Sequence, residues 1–79
     1  MTDIKQHVGN RIRHLRHNTG YSQEILAHQA NLDRTYINSV ENGRRNISIV
    51  NLEKIVTALD ITLADFFSTP EFDKDIPND

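Results

Sequence analysis

Apolar residues recur at helical spacing along most of this chain, and the places where the rhythm breaks are short. Between residues 3 and 18, Ile4, Val8, Ile12 and Leu15 fall within an arc of about 80° at roughly 100° per residue, which predicts a helix with one inward stripe. Gly9 lies off that stripe and, in a helix interior, costs about 1 kcal/mol relative to alanine. Asn18-Thr19-Gly20 supplies a stop, Gly20 being suited to a left-handed cap. Ser22 then offers an N-cap hydroxyl, Glu24 a negative charge in the first turn, and Leu26, Ala27 and Ala30 a second apolar face whose small Ala27 lets another helix cross closely. Asn31, a residue that tolerates the left-handed conformation, sits where the chain must reverse, and Asp33 is placed to recap a third helix.

In that third pattern, Arg34 to Asn42, Ile37 and Val40 point one way, Thr35, Asn38, Ser39 and Asn42 point the other, and Arg34 stands on the border. Gly43 ends it. Ser48 caps a fourth helix with Ile49, Leu52, Ile55, Val56 and Leu59 on one face, Val50 opposite them, and Asp60 at the end. Thr62 caps a short fifth, Leu63 to Phe67, whose adjacent phenylalanines cannot both face one small core. From Ser68 onward the chain is acidic, contains proline and shows no periodicity, although Phe72 and Ile76 could tie part of it down. The expectation is an all-α, compact five-helix domain over residues 1–69 with an acidic tail at 70–79, and a helix-turn-helix from Ser22 to Asn42.

The outward stripe of the third helix is polar yet nearly uncharged. A face meant only for solvent usually carries Lys and Glu at helical spacing, whereas Arg34, Thr35 and Asn38 are short or forked hydrogen-bonders suited to base edges. Arg44, Arg45 and Asn46 follow directly, where a loop would lie along a sugar-phosphate backbone. Tyr36, Ser39 and Asn42 flank the reading positions, and Gln23 would bring an amide and a positive helix end to a phosphate.

Overall charge opposes that picture until it is mapped. The chain carries a net −2, but residues 1–50 hold seven basic and four acidic side chains, whereas residues 51–79 hold two basic and seven acidic ones. The basic end coincides with the proposed reading helix, an asymmetry that orients an approach to DNA. With no cysteine, disulfides, thiolate zinc sites and thiol catalysis are excluded. His7, His14, His17 and His28 lack a carboxylate at ligand spacing, so no metal and no cofactor is expected. No nucleophile–base pair or Gly-rich phosphate loop suggests an enzyme, and no small-molecule ligand is evident. The start of the chain has neither a signal-peptide nor a spanning pattern, so a cytoplasmic protein is expected. At 79 residues the core is marginal unless two copies associate, so a homodimer is expected through Val50 with Phe66 or Phe67.

The run Ser22-Gln23, Leu26-Ala27, Ile37, Val40-Glu41-Asn42-Gly43 and Arg44-Arg45 resembles the DNA-binding domain of phage repressors and Cro-like (XRE) transcription factors over roughly residues 4–67. Within that family, Leu32-Asp-Arg-Thr-Tyr-Ile37 followed by Arg44-Arg45-Asn46 is most similar to the controller proteins of restriction-modification systems. One departure is Asn31, where the turn often carries glycine. The resemblance implies a lambda-repressor-like fold and an ion pair between Arg16 and Glu41, with a spare Arg16 donor for a phosphate. It further implies a homodimer on pseudo-palindromic double-stranded operators, activating at low occupancy and repressing at high, with RNA polymerase a further partner to which no residue is assigned. A phage-type or antitoxin-type repressor would use the same face. A protein-interaction module that has lost DNA binding is the remaining alternative.

Overall fold

The computed structural model describes residues 3–73. Over them the chain forms α1 (Ile4–Thr19), α2 (Gln23–Ala30), α3 (Arg34–Glu41), α4 (Ile49–Ala58) and α5 (Leu63–Phe66), then one 3₁₀ turn, Pro70–Phe72. Side chains mark most of the starts. Ser22 Oγ accepts from Ile25 N at 3.1 Å, Ser48 Oγ from Asn51 N at 3.0 Å and Thr62 Oγ1 from Asp65 N at 3.0 Å, each pairing an amide that the helix leaves open. Asp33, expected to do the same for α3, makes no capping hydrogen bond and leaves only its charge at the positive helix end.

Four of the helix ends share one device. Gly20, Asn31, Gly43 and Asp60 all take positive φ, between 57° and 77°, so that the chain turns back and closes on carbonyls of the preceding turn. After Gly20, Asn31 and Asp60 comes an apolar residue, Tyr21, Leu32 or Ile61, that packs onto the core and draws the next segment inward. After Gly43 comes Arg44, which is exposed. The loop behind α3 therefore starts out in solvent and returns to the core only at the half-buried Ile47.

α3 packs against both α1 and α2, and α4 against α2 and α5, around Ile12, Leu26, Ile37, Ile55 and Phe66, all with no exposed surface. Gly9, read from the sequence as a local cost, is buried where α1 meets the end of α3. A Cβ there would run into the Val40 carbonyl oxygen and sit 2.8 Å from that of Glu41. The absence of a side chain is what lets the two backbones meet.

Several inward assignments are corrected. Ile4 and Ile49 lie on predicted core stripes, yet they are 58% and 64% exposed because each occupies the first turn of its helix, where the stripe overhangs its neighbours. Phe66, proposed for a dimer contact, is completely buried in its own domain. Phe67 is half-buried, with its ring edge-on to Phe66 at 4.9 Å and to Phe72 at 5.0 Å, and α5 stops before it. Order thus continues past residue 69, through Phe72, while the expected tail from residue 74, with Ile76, lies outside the described residues. Arg11 secures this end: its Nε and Nη2 donate to the carbonyls of Phe66 and Asp65 at 2.9 and 3.0 Å, which closes the C-terminus of α5 onto α1.

Candidate nucleic-acid interface

Burial of Ile37 and Val40 fixes the rotation of α3, and the opposite side of the helix is thereby turned out. Arg34, Thr35 and Asn38 are exposed there, and together with Gln23 at the start of α2 they line one shallow surface recess. Ser39 and Asn42 are half-buried at the edge, and the exposed Arg44, Arg45 and Asn46 continue the surface beyond Gly43. The Arg44 amide donates to the Ser39 carbonyl at 3.0 Å, which ties the basic loop to the helix end.

Tyr36 is half-buried. Its hydroxyl accepts from Asn51 Nδ2 at 3.1 Å, and the Arg45 guanidinium lies 4.9 Å from its ring centroid. That stacking orders one arginine of the loop, and the hydroxyl keeps its own proton free to donate.

Beneath this face lies a buried carboxylate. Glu41 has no exposed surface, and Arg16 holds it with a fork, Nε to Oε2 at 2.7 Å and Nη2 to Oε1 at 2.9 Å. Gln23 Nε2 adds a third bond to Oε1 at 3.0 Å. Burial by itself raises the Glu41 carboxyl, but the hydrogen bonds from Arg16 and Gln23, with the charges of Arg16 and Arg13, outweigh it and hold its pKa below the ordinary 4.5. Glu41 is thus an anion whose charge is matched inside the fold.

That geometry redistributes the expected roles. Arg16 was to offer a spare donor to phosphate, but it is buried, with Nε and Nη2 on Glu41 and Nη1 on the Tyr21 carbonyl at 2.9 Å. Reaching solvent falls instead to Arg13, which is half-exposed, donates through Nη2 to the Glu41 carbonyl and to Asn42 Oδ1, both at 3.1 Å, and keeps its Nε 3.5 Å from the Glu41 carboxylate. Arg13 is not among the positions expected at the site, although its place three residues before Arg16 puts both on one helix face. Gln23, expected on a phosphate, spends its amide inside the protein, giving Nε2 to Glu41 and accepting from Asn38 Nδ2 at 3.2 Å. Val50, on the outer side of α4, is 59% exposed; near the start of that helix Ile49 joins Ile4, Val8, Val40, Leu52 and Phe67 around a mainly apolar groove.

A helix-turn-helix family model matches residues 12–66. The control protein C.MunI of a Mycoplasma species is 54% identical over 72 residues, covering 90% of this chain and 97% of its own length. Among solved structures, the restriction-modification controller protein C.AhdI from Aeromonas hydrophila superposes with a TM-score of 0.80 at 45% identity, over 84% of this chain and all of that one. The controller protein C.Esp1396I, solved as a tetramer in complex with its natural 35-base-pair operator, gives a TM-score of 0.79 at 37% identity, covering 85% and 88% of the two chains.

Proposed function

The chain belongs to the helix-turn-helix family, among the controller proteins of restriction-modification systems, and on that premise we propose that it regulates transcription by binding a pseudo-palindromic operator as a homodimer. The observation that carries this is the outward face of α3, on which Arg34, Thr35 and Asn38 stand exposed while Ile37 and Val40 anchor the helix from behind. Two such helices, one per protomer, enter successive major grooves roughly 34 Å apart. Arg34 takes guanine O6 and N7 with its fork, Thr35 meets a base or a phosphate, and Asn38 meets a base edge. Arg44, Asn46, Ser39 and the Tyr36 hydroxyl hold the sugar-phosphate backbone, and Arg13 joins them in place of Arg16.

The second copy docks on the apolar surface around the start of α4, where Ile49, Val50 and Ile4 are exposed and Phe67 contributes the half-buried edge of the aromatic cluster. Such a surface on so small a domain is supported as a self-association face by the solved relative, which is a tetramer on its operator. Binding is the whole activity. The protein acts in the cytoplasm on the control region of its own gene and of the endonuclease gene, activating when few sites are filled and repressing when all are, with RNA polymerase as the further partner.

The test is footprinting of the purified protein on DNA immediately upstream of its reading frame. Protected, two-fold-related half-sites are expected, with affinity falling log-linearly as salt rises, because neutralised phosphates release counterions. Equal affinity for random DNA, or none in low salt, overturns the proposal.

A further inference from the structure

On the reading face five side chains close into a ring. Arg13 Nη2 donates to Asn42 Oδ1 at 3.1 Å, and Asn42 Nδ2 donates to the Asn38 carbonyl at 2.9 Å and, over a longer 3.3 Å, to Asn38 Oδ1. Asn38 Nδ2 donates to Gln23 Oε1 at 3.2 Å, and Gln23 Nε2 donates to Glu41 Oε1 at 3.0 Å. Glu41 in turn returns to Arg13, whose Nε is 3.5 Å from Oε1 and whose Nη2 donates to the Glu41 carbonyl. The four bonds from Arg13 through Asn42, Asn38 and Gln23 to Glu41 all run one way, from the cation to the anion, and Arg13 closes the circuit on Glu41 directly.

That direction is forced from both ends. A carboxylate can only accept, so Gln23 must turn its NH₂ toward Glu41 and its oxygen toward Asn38. A guanidinium can only donate, so Asn42 must turn its oxygen toward Arg13 and its NH₂ toward Asn38. Both constraints demand the same orientation of the Asn38 amide, nitrogen on the Gln23 side and oxygen on the Asn42 side. Flipping it would break two hydrogen bonds and set donor against donor at one end and acceptor against acceptor at the other.

We propose that Glu41 and Arg13, through Gln23 and Asn42, are positioning residues that fix the amide polarity of Asn38 and so determine which base edge it reads. The inference rests on the DNA-binding function proposed above. After its two ring bonds Asn38 keeps one N–H and one lone pair, a donor and an acceptor in a set order. Adenine presents a matching acceptor and donor at N7 and N6, whereas guanine presents two acceptors. An amide free to rotate would accept either order along the groove. This one accepts a single order.

The experiment measures binding of the unaltered protein and of Asn38→Ala, Gln23→Ala, Asn42→Asp and Arg34→Ala to operators carrying every single base-pair change. Asn38→Ala identifies the base pairs that Asn38 reads. Gln23→Ala leaves Glu41 paired with Arg16, and it is expected to cut discrimination at those same base pairs by roughly 5- to 20-fold while leaving it intact at the base pairs lost with Arg34→Ala. Asn42→Asp retains an acceptor for Arg13 but faces Asn38 Oδ1 with a second acceptor, and the same selective loss is expected. A uniform loss over all operators with Gln23→Ala would make Gln23 an ordinary phosphate contact and overturn the proposal. So would unchanged discrimination in both variants, or an Asn38→Ala protein that discriminates as well as the unaltered one. A DNA-free arm follows the side-chain amide protons of Asn38 by NMR. Exchange slower than at an exposed asparagine such as Asn46, accelerated by Gln23→Ala, is expected, and exchange as fast as Asn46 in the unaltered protein overturns the ring itself. If the unaltered protein discriminates no base pair at all while the ring is protected, it is the DNA-binding function that fails.

Discussion

Arg34 and Glu41 sit at opposite ends of α3 and illustrate two fates of a charged side chain. Arg34 is exposed, with its fork available to an external acceptor pair. Arg34→Ala is expected to lose about 1 to 3 kcal/mol of preference for the cognate site while general binding at low salt persists, as measured by competition between operator and random DNA. Equal losses on both DNAs would make Arg34 a positioning contact. Glu41 is sealed in, and removing one partner of a buried pair costs about 3 to 5 kcal/mol, so Glu41→Ala should lower the melting temperature by well over 10 °C. Because the folded state holds the Glu41 pKa below 4.5, its ionisation stabilises the fold fully above that value, and this contribution is lost as pH falls through the lower folded value. Denaturant unfolding of Glu41→Gln should accordingly show a shallower loss of stability below pH 4.5 than the unaltered protein, and parallel pH curves would remove Glu41 as the source of the dependence.

At the level of elements, the junction between α1 and α3 decides how firmly the reading helix is held. An exposed mid-helix glycine replaced by alanine gains about 1 kcal/mol from propensity. At Gly9 the added carbon meets backbone oxygens of α3, which cannot rotate away, so overpacking of about 3 kcal/mol prevails over the gain. Gly9→Ala is thus expected to lower the melting temperature by roughly 10 °C, and a rise would show that α1 shifts without cost. Helix ends argue the same way. Asn31 and Asp60 hold positive φ without being glycine, because the apolar Leu32 and Ile61 that follow are docked in the core and fix the turn.

Considered as a whole, the molecule separates an excess of positive side chains in its first fifty residues from an acidic remainder. Its apolar residues are not all consumed by one core either, since Ile4, Ile49 and Val50 remain outside. Val50 is 59% exposed, so in Val50→Asp the helical circular dichroism should persist while sedimentation equilibrium reports a monomer and operator affinity drops at least tenfold. An Asp variant that sediments as a dimer would move the twofold contact elsewhere.

Periodicity, cap residues and the few positions that tolerate positive φ determined the helices, their order and which side of α3 faces out, because each of these depends on neighbours within about four residues. The family resemblance rests on that same local code. Gly9 lies as a cost in the sequence and as a necessity in the fold, since nothing in its surroundings along the chain announces that another backbone will lie against it. The sequence sets Phe66 and Phe67 against each other, yet in the fold Phe66 is buried and the half-buried Phe67 packs against the same core, because Phe72, which no helical spacing places, closes on both rings. The ring through Arg13, Asn42, Asn38, Gln23 and Glu41 joins α1, α2 and α3, and its polarity follows from long-range contacts that no spacing rule encodes. Local sequence set what each helix could present, and tertiary packing decided what it presents to whom.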